Sequence, residues 1–186
     1  MKRISISIVA AVTLSSLALL AFAAVASDEQ TQKQDQARTE AQAAPVFGIK
    51  LPPGYRDWKL ISVAHEEGSL NDLRAILGND IAIRAFREGE LPLPNGSIIA
   101  RLAWAYVPSE ENNKVFGRSQ SFVAGPPTNV QFMVKDSKKF ASTGGWGFAQ
   151  FKNGKPDDKA DLKTCFPCHQ PIQARDFIFT QYAPTP

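Results

Sequence analysis

The sequence predicts an α+β domain: a mostly antiparallel β-sheet with short flanking helices, and a last helix near the C-terminus that carries both cysteines. Three observations predict it. Runs of alternating apolar residues, rich in β-branched and aromatic side chains, recur between Pro, Gly and Asn punctuation. The stretches between them carry cap signals for helices of only a few turns. Both cysteines of the 186-residue chain fall together at 165 and 168.

Taken in order, Pro52-Pro53-Gly54 makes a turn and residues 58–64 read as the first strand. Ser69 is placed to cap a helix over 70–77, which Gly78 ends. Asn79 then caps a second helix over 80–88, closed by Gly89. Its Ile81, Ala85 and Phe86 fall at helical spacing, and Arg84 can pair with Glu88 at i,i+4. Pro92, Pro94, Asn95 and Gly96 turn the chain into the longest strand, 97–107. Ile98, Ala100, Leu102, Trp104 and Tyr106 share one of its faces; Ile99, Arg101, Ala103, Ala105 and Val107 share the other. Arg101 is the only charge in that run. On residues alone, an edge arginine or a surface ion pair explains it as well as a functional role does.

Residues 108–127 read as loop with a helical turn at 110–113, followed by a strand over 130–135. Asp136 can cap a short helix through Phe140, and a strand follows over 146–151, its start rich in glycine. The charged stretch 155–163 reads as a solvated loop leading into the cysteine-bearing helix, and 177–182 as a final strand, about the fifth.

The ends of the chain carry different signals. Lys2 and Arg3, an apolar run to Ala24 and the site Ala24-Val25-Ala26 have the three parts of a secretory signal peptide, giving a leader over 1–26. An uncleaved anchor is the alternative, since the run is near the ~20 residues that span a bilayer. No cysteine follows the run to make a lipoprotein. Residues 27–44 are Gln-rich and charged without a large apolar side chain, so they read as a disordered linker. One domain spans 45–186. Without Lys2 and Arg3, the 21 basic residues become 19 against 18 acidic ones, a balance that gives no reason to expect a nucleic-acid partner.

Cys165-Phe166-Pro167-Cys168-His169 has the Cys-x-x-Cys-His spacing that attaches a c-type haem. Two thiols add across two porphyrin vinyl groups, and the histidine is carried under the iron. A zinc site needs about four N or S ligands, and only His65 remains to add to this set. A redox Cys-x-x-Cys leaves His169 without a role. The expected cofactor is one covalent haem c with its iron, and the expected compartment is the periplasm, reached through the cleaved leader. A strand-rich domain also differs from the all-helical fold of soluble electron-carrier cytochromes. Only Met133 and His65 remain in the mature chain as opposite axial ligands of the usual kinds. Met133 shares a strand face with Gln131 and Lys135; His65 sits beside Glu66, Glu67 and Gly68 in what reads as an exposed turn. The expected iron is therefore held by His169 alone, with its other face open.

The chain resembles the cytochrome P-460 family, which includes the cytochromes c-prime-beta. The resemblance rests on Pro53-Gly54-Tyr55-Arg56-Asp57-Trp58, Gly96-Ser97-Ile98-Ile99-Ala100-Arg101, Val134-Lys135-Asp136-Ser137-Lys138-Lys139-Phe140 and Gly145-Trp146-Gly147-Phe148. The pentapeptide and Asp176-Phe177-Ile178-Phe179-Thr180-Gln181-Tyr182 complete it. It implies a mostly antiparallel fold, a homodimer, and haem c bound through one histidine with the distal side open. It also implies chemistry with small nitrogen species: founding members oxidise hydroxylamine and carry a lysine cross-linked to the porphyrin, while relatives without that bond hold nitric oxide. Arg101 stands where that lysine is expected, and a guanidinium is a poor nucleophile. Arg101 is then expected to pair a propionate or steer a ligand. Lys59 is the nearest lysine on another strand. A proton-relaying carboxylate is expected just before the attachment motif, at Asp161 with Asp158 nearby. Three functions follow: a hydroxylamine oxidoreductase delivering electrons to a periplasmic partner, a non-enzymatic gas binder, or a simple electron carrier.

Overall fold

The computed structural model describes residues 47–184. The predicted signal peptide and linker lie outside the described residues. Six strands form one sheet in the order β1-β2-β3-β4-β5-β6, each antiparallel to its neighbour. They are β1 Lys59–Glu66, β2 Asp72–Gly78, β3 Ile98–Pro108, β4 Phe122–Lys135, β5 Trp146–Lys152 and β6 Lys155–Pro156. Three short α-helices accompany them: α1 Asp80–Glu88, α2 Glu110–Phe116 and α3 Cys165–His169. The α+β, mostly antiparallel expectation holds, including the short helix near the C-terminus.

Two predicted elements are corrected. The segment expected as a helix over 70–77 is strand β2. Its apolar residues Leu73, Ala75, Ile76 and Leu77 suit either period, and pairing with β1 on one side and β3 on the other decides for the strand. The expected final strand over 177–182 is irregular. Asp176 and Phe177 both take left-handed backbone conformations (φ 52° and 63°), which break an extended run. Arg175 then takes the carbonyls of Phe179 and Thr180 at 3.0 and 3.4 Å, so they need no ladder. Only the Ala183 N–H reaches the sheet, donating to the Ile61 carbonyl at 2.9 Å.

Smaller differences have local causes. The turn expected at 110–113 extends to α2, capped by Ser109. β4 starts within the expected loop, and Pro127 sits where its register with β3 shifts, a position that tolerates a residue without an N–H. Asp136 caps a turn and not a helix: its carboxylate accepts from the N–H groups of Lys138 and Lys139. Asn79 caps α1 as expected, accepting from Ala82 N at 3.0 Å. That helix buries Ala82, Ile83 and Ala85, while Ile81 faces solvent and Arg84 makes no ion pair with Glu88.

Strand alternation divides the sheet. On one face Leu77, Ala100, Val130, Phe132, Ala149 and Phe151 pack with Ile49, Tyr55, Phe140 and Leu162. Gly147 must lack a side chain there, because a Cβ would enter the Phe140 ring. On the other face Ile76, Ile99, Trp146 and Phe148 pack beneath α1 and the C-terminal Phe177 and Ile178. Each large side chain so buried contributes roughly 1.5–3 kcal/mol. The same second face continues along the strands into polar residues, because Ile76, Arg101, Gln131 and Gln150 stand in register across β2 to β5.

Candidate haem-binding site

The attachment helix is reached through a tight 3-10 turn, Leu162–Thr164, whose Leu162 is buried in the first core. Asp161 caps that turn, its carboxylate accepting from Lys163 N at 3.2 Å. Cys165 and Cys168 then stand three residues apart on α3, so their sulfurs share one side of the helix. Both are free thiols; Cys165 is half-buried against both cores and Cys168 is exposed. Burial, then the neighbouring Cys168 and Asp161, push the Cys165 thiol above its ordinary range.

His169 ends α3 with its ring between Phe148 and Phe179, at centroid distances of 5.2 and 5.0 Å. Its Nδ1 lies 2.6 Å from the carbonyl oxygen of Phe177. A carbonyl only accepts, so Nδ1 carries the proton and donates, which leaves the Nε2 lone pair free. Burial lowers the imidazole pKa, with the bond to Phe177 opposing, so the ring is held neutral. That is the state and orientation a metal-binding histidine needs, with its second nitrogen fixed by a backbone partner.

These residues fit a haem: two unpaired thiols on one helical turn and, beside them, a neutral imidazole with a free lone pair. Among the described residues no group of three or more His, Cys, Asp or Glu side chains could hold a bare metal ion. The fold and this site define a haem protein of the cytochrome class. The family model described as Cytochrome P460 matches residues 52–180, and the chain belongs to that family. Haem and its iron follow from that membership. No match was found among curated proteins.

Arg101 is not a free surface charge. Its guanidinium donates to the Asp72 carboxylate, to Asn129 Oδ1 at 3.1 Å and to Gln131 Oε1 at 3.3 Å. Asp72, only 5% exposed at its side chain, also receives Arg74 Nε at 2.7 Å, and Arg74 continues to Glu66 at 2.9 Å. On the other side Gln131 Nε2 donates to Gln150 Oε1 at 2.6 Å, and Gln150 Nε2 to Asp157 Oδ2 at 2.7 Å. An unbroken hydrogen-bonded chain thus crosses the sheet from Glu66 to Asp157, on the face where Phe148 meets His169. Burial and the Arg74 charge hold the Arg101 pKa below its ordinary value while Asp72 opposes them; the guanidinium stays charged.

The remaining candidates are dispersed. Met133 shares the Phe148 face and packs with the second core. His65 lies on the opposite face, since it pairs with Leu73 and so with Trp104; its ring stacks on Tyr106 at 3.9 Å. Lys59 is exposed and paired with Asp80 at 3.3 Å, and Asp158 is exposed. Sequence reasoning missed Asp72, which it placed in a helix, and missed Asn129, Gln131 and Gln150. The polar alternation Asn129, Gln131 against Val130, Phe132 was the available signal.

Proposed function

We propose that this is a periplasmic protein carrying one haem c, attached through thioethers at Cys165 and Cys168 and ligated by His169 Nε2, which binds or oxidises small nitrogen species such as hydroxylamine or nitric oxide. The observation that carries the reading is the 2.6 Å bond from His169 Nδ1 to the Phe177 carbonyl, which prepares Nε2 and no other described histidine nitrogen beside two free thiols. Haem bound there would supply an iron with an exchangeable position opposite His169. The placement of His65 across the sheet supports the open position and speaks against a simple electron carrier. Phe148 and Phe179 pack against the imidazole from two sides and orient it. Asp161 and the network carboxylate Asp157 are the candidate proton acceptors. The leader over 1–26 supports the compartment, and oxidation would deliver electrons to a periplasmic partner.

Non-enzymatic binding of nitric oxide is the second reading, and Arg101 favours it. Its nitrogens are engaged with Asp72, Asn129 and Gln131, so the lysine chemistry of the founding enzymes has no counterpart at this position. A homodimer is part of the proposal. The exposed Val63 and Phe122, on the same face as His65 and the half-buried Tyr106 ring stacked between His65 and Phe122, would suit a second copy, and sedimentation tests it.

Optical and EPR spectra of the haem-loaded protein test the site. High-spin ferric iron with an ordinary haem c pattern supports it; low-spin six-coordinate iron overturns it. Hydroxylamine turnover with an electron acceptor then separates enzyme from gas binder.

A further inference from the structure

A buried ion pair lies one step behind the proximal histidine. Asp176 and Lys135 are 5% and 7% exposed at their side chains, with Lys135 Nζ donating to Asp176 Oδ1 at 2.6 Å. The other carboxylate oxygen, Oδ2, accepts from Leu93 N at 2.9 Å. Lys135 Nζ also donates to the Gly144 carbonyl at 3.3 Å and lies 4.9 Å from the Trp146 ring centre. Nothing in the proposed ligand chemistry uses these two charges.

Their position shows a use. Asp176 immediately precedes Phe177, whose carbonyl receives the His169 proton. Both residues are in the left-handed region, at φ 52° and 63°. For side chains other than glycine that conformation costs roughly 1–2 kcal/mol per residue, so it persists only where surroundings impose it. Asp176 is fixed through both oxygens to β4 and to the Leu93 backbone. Phe177 is fixed through its ring, which lies so close over Gly144 that a Cβ there would overlap it. Lys135 joins the two clamps, because it binds both Asp176 and the Gly144 carbonyl.

We infer that the Lys135–Asp176 ion pair, with Gly144, is the positioning device of the proximal histidine: it holds the left-handed Asp176-Phe177 turn so that the Phe177 carbonyl faces His169 Nδ1. The inference rests on His169 being the axial ligand. A firm bond at Nδ1 makes the imidazole a stronger donor to iron and favours the ferric state. Lys135 and Asp176 thereby act on the iron without touching it.

The test uses the haem-loaded protein. Breaking one partner alone strands a buried charge, so the variant is K135M/D176N, which removes both charges and keeps an oxygen for Leu93. The iron–histidine stretching band of the ferrous protein should move to lower frequency and the reduction potential should rise. K135R, which keeps the cation, should stay near wild type. G144A, which displaces the Phe177 ring from the other side, should shift both readouts in the same direction. Bands and potentials that stay at wild-type values in the folded variants overturn the inference. So does loss of the folded double variant with G144A unshifted, since the pair then serves only the core. Absence of any iron–histidine band in the wild type would instead refute the axial assignment.

Discussion

Replacing Asp72 by alanine should be among the most damaging single changes on the sheet. Its carboxylate sits between two guanidinium groups, with side chains of Asp72, Arg74 and Arg101 only 5, 13 and 15% exposed. At the 2.7 Å contact with Arg74, Coulomb's law with an effective dielectric near 20 gives about 6 kcal/mol of gross attraction. Desolvation of the partners offsets part of it. Removing the anion alone leaves the buried Arg101 without a carboxylate and Arg74 with only the half-exposed Glu66, and breaking a buried pair costs about 3–5 kcal/mol. Against a domain stability of roughly 5–15 kcal/mol, that is a large share.

The assay is urea unfolding of the haem-loaded protein, reading the midpoint at unchanged slope. The control is Asp80→Ala, whose partner Lys59 lies 3.3 Å away with both side chains mostly exposed, at 58 and 83%. Screening by solvent limits that surface pair to about 1 kcal/mol or less. D72A should therefore lose several times more stability than D80A. Similar losses for the two variants would refute the buried-network reasoning. The Arg101 hydrogen bonds to Asn129 and Gln131 would then be sufficient without the carboxylate.

Four further outcomes follow from the geometry. Asn79→Ala should cost about 2–3 kcal/mol, because Asn79 caps α1, accepts from Ile98 N at 3.1 Å and donates to the Gly96 carbonyl at 2.8 Å; chemical unfolding beside Asn79→Asp, which keeps the acceptor, checks it. Gly147→Ala should cost about 1–3 kcal/mol through overpacking against Phe140, visible as a lower melting temperature. His65→Ala should leave the spin state of the iron unchanged in EPR, since its ring stacks on Tyr106 across the sheet from Phe148. In the haem-free chain, iodoacetamide should label exposed Cys168 before Cys165, read by peptide mass spectrometry, because the raised Cys165 pKa reduces its thiolate. The sign for stability is the same: the raised thiol favours the folded haem-free state below the ordinary 9.0, and that contribution is lost as pH rises through the raised value.

What the sequence reveals here depends on whether the signal is local. The Asn79 cap, the alternation of 98–107 and the spacing of Cys165, Cys168 and His169 are each complete within a few residues, and the cap, the strand and the short helix that carries the cysteines are found where expected. β2 was illegible because Leu73, Ala75, Ile76 and Leu77 fit two periods, and only pairing on both edges decides. The Arg101 network was illegible because Asp72 lies 29 residues away and reaches it only through strand register. The partner of His169 is a backbone carbonyl, which leaves no mark of residue type at all.

The failed final strand and the prepared histidine are one fact. A segment 177–182 laddered on the free edge of β1 would commit its backbone carbonyls to that strand. The left-handed pair Asp176-Phe177 gives up the ladder and turns one carbonyl back toward α3, where it accepts from His169 Nδ1 at 2.6 Å. Arg175 satisfies the carbonyls of Phe179 and Thr180, and the Ile61 carbonyl anchors the end through the Ala183 N–H, so these backbone groups are paired without a ladder. The β-rich composition of Phe177-Ile178-Phe179 is thus consistent with burial of Phe177 and Ile178 on the second face, while the Phe177 carbonyl accepts from His169. Local propensity and the proposed site ask for different backbones at Phe177, and the site's demand is the one met.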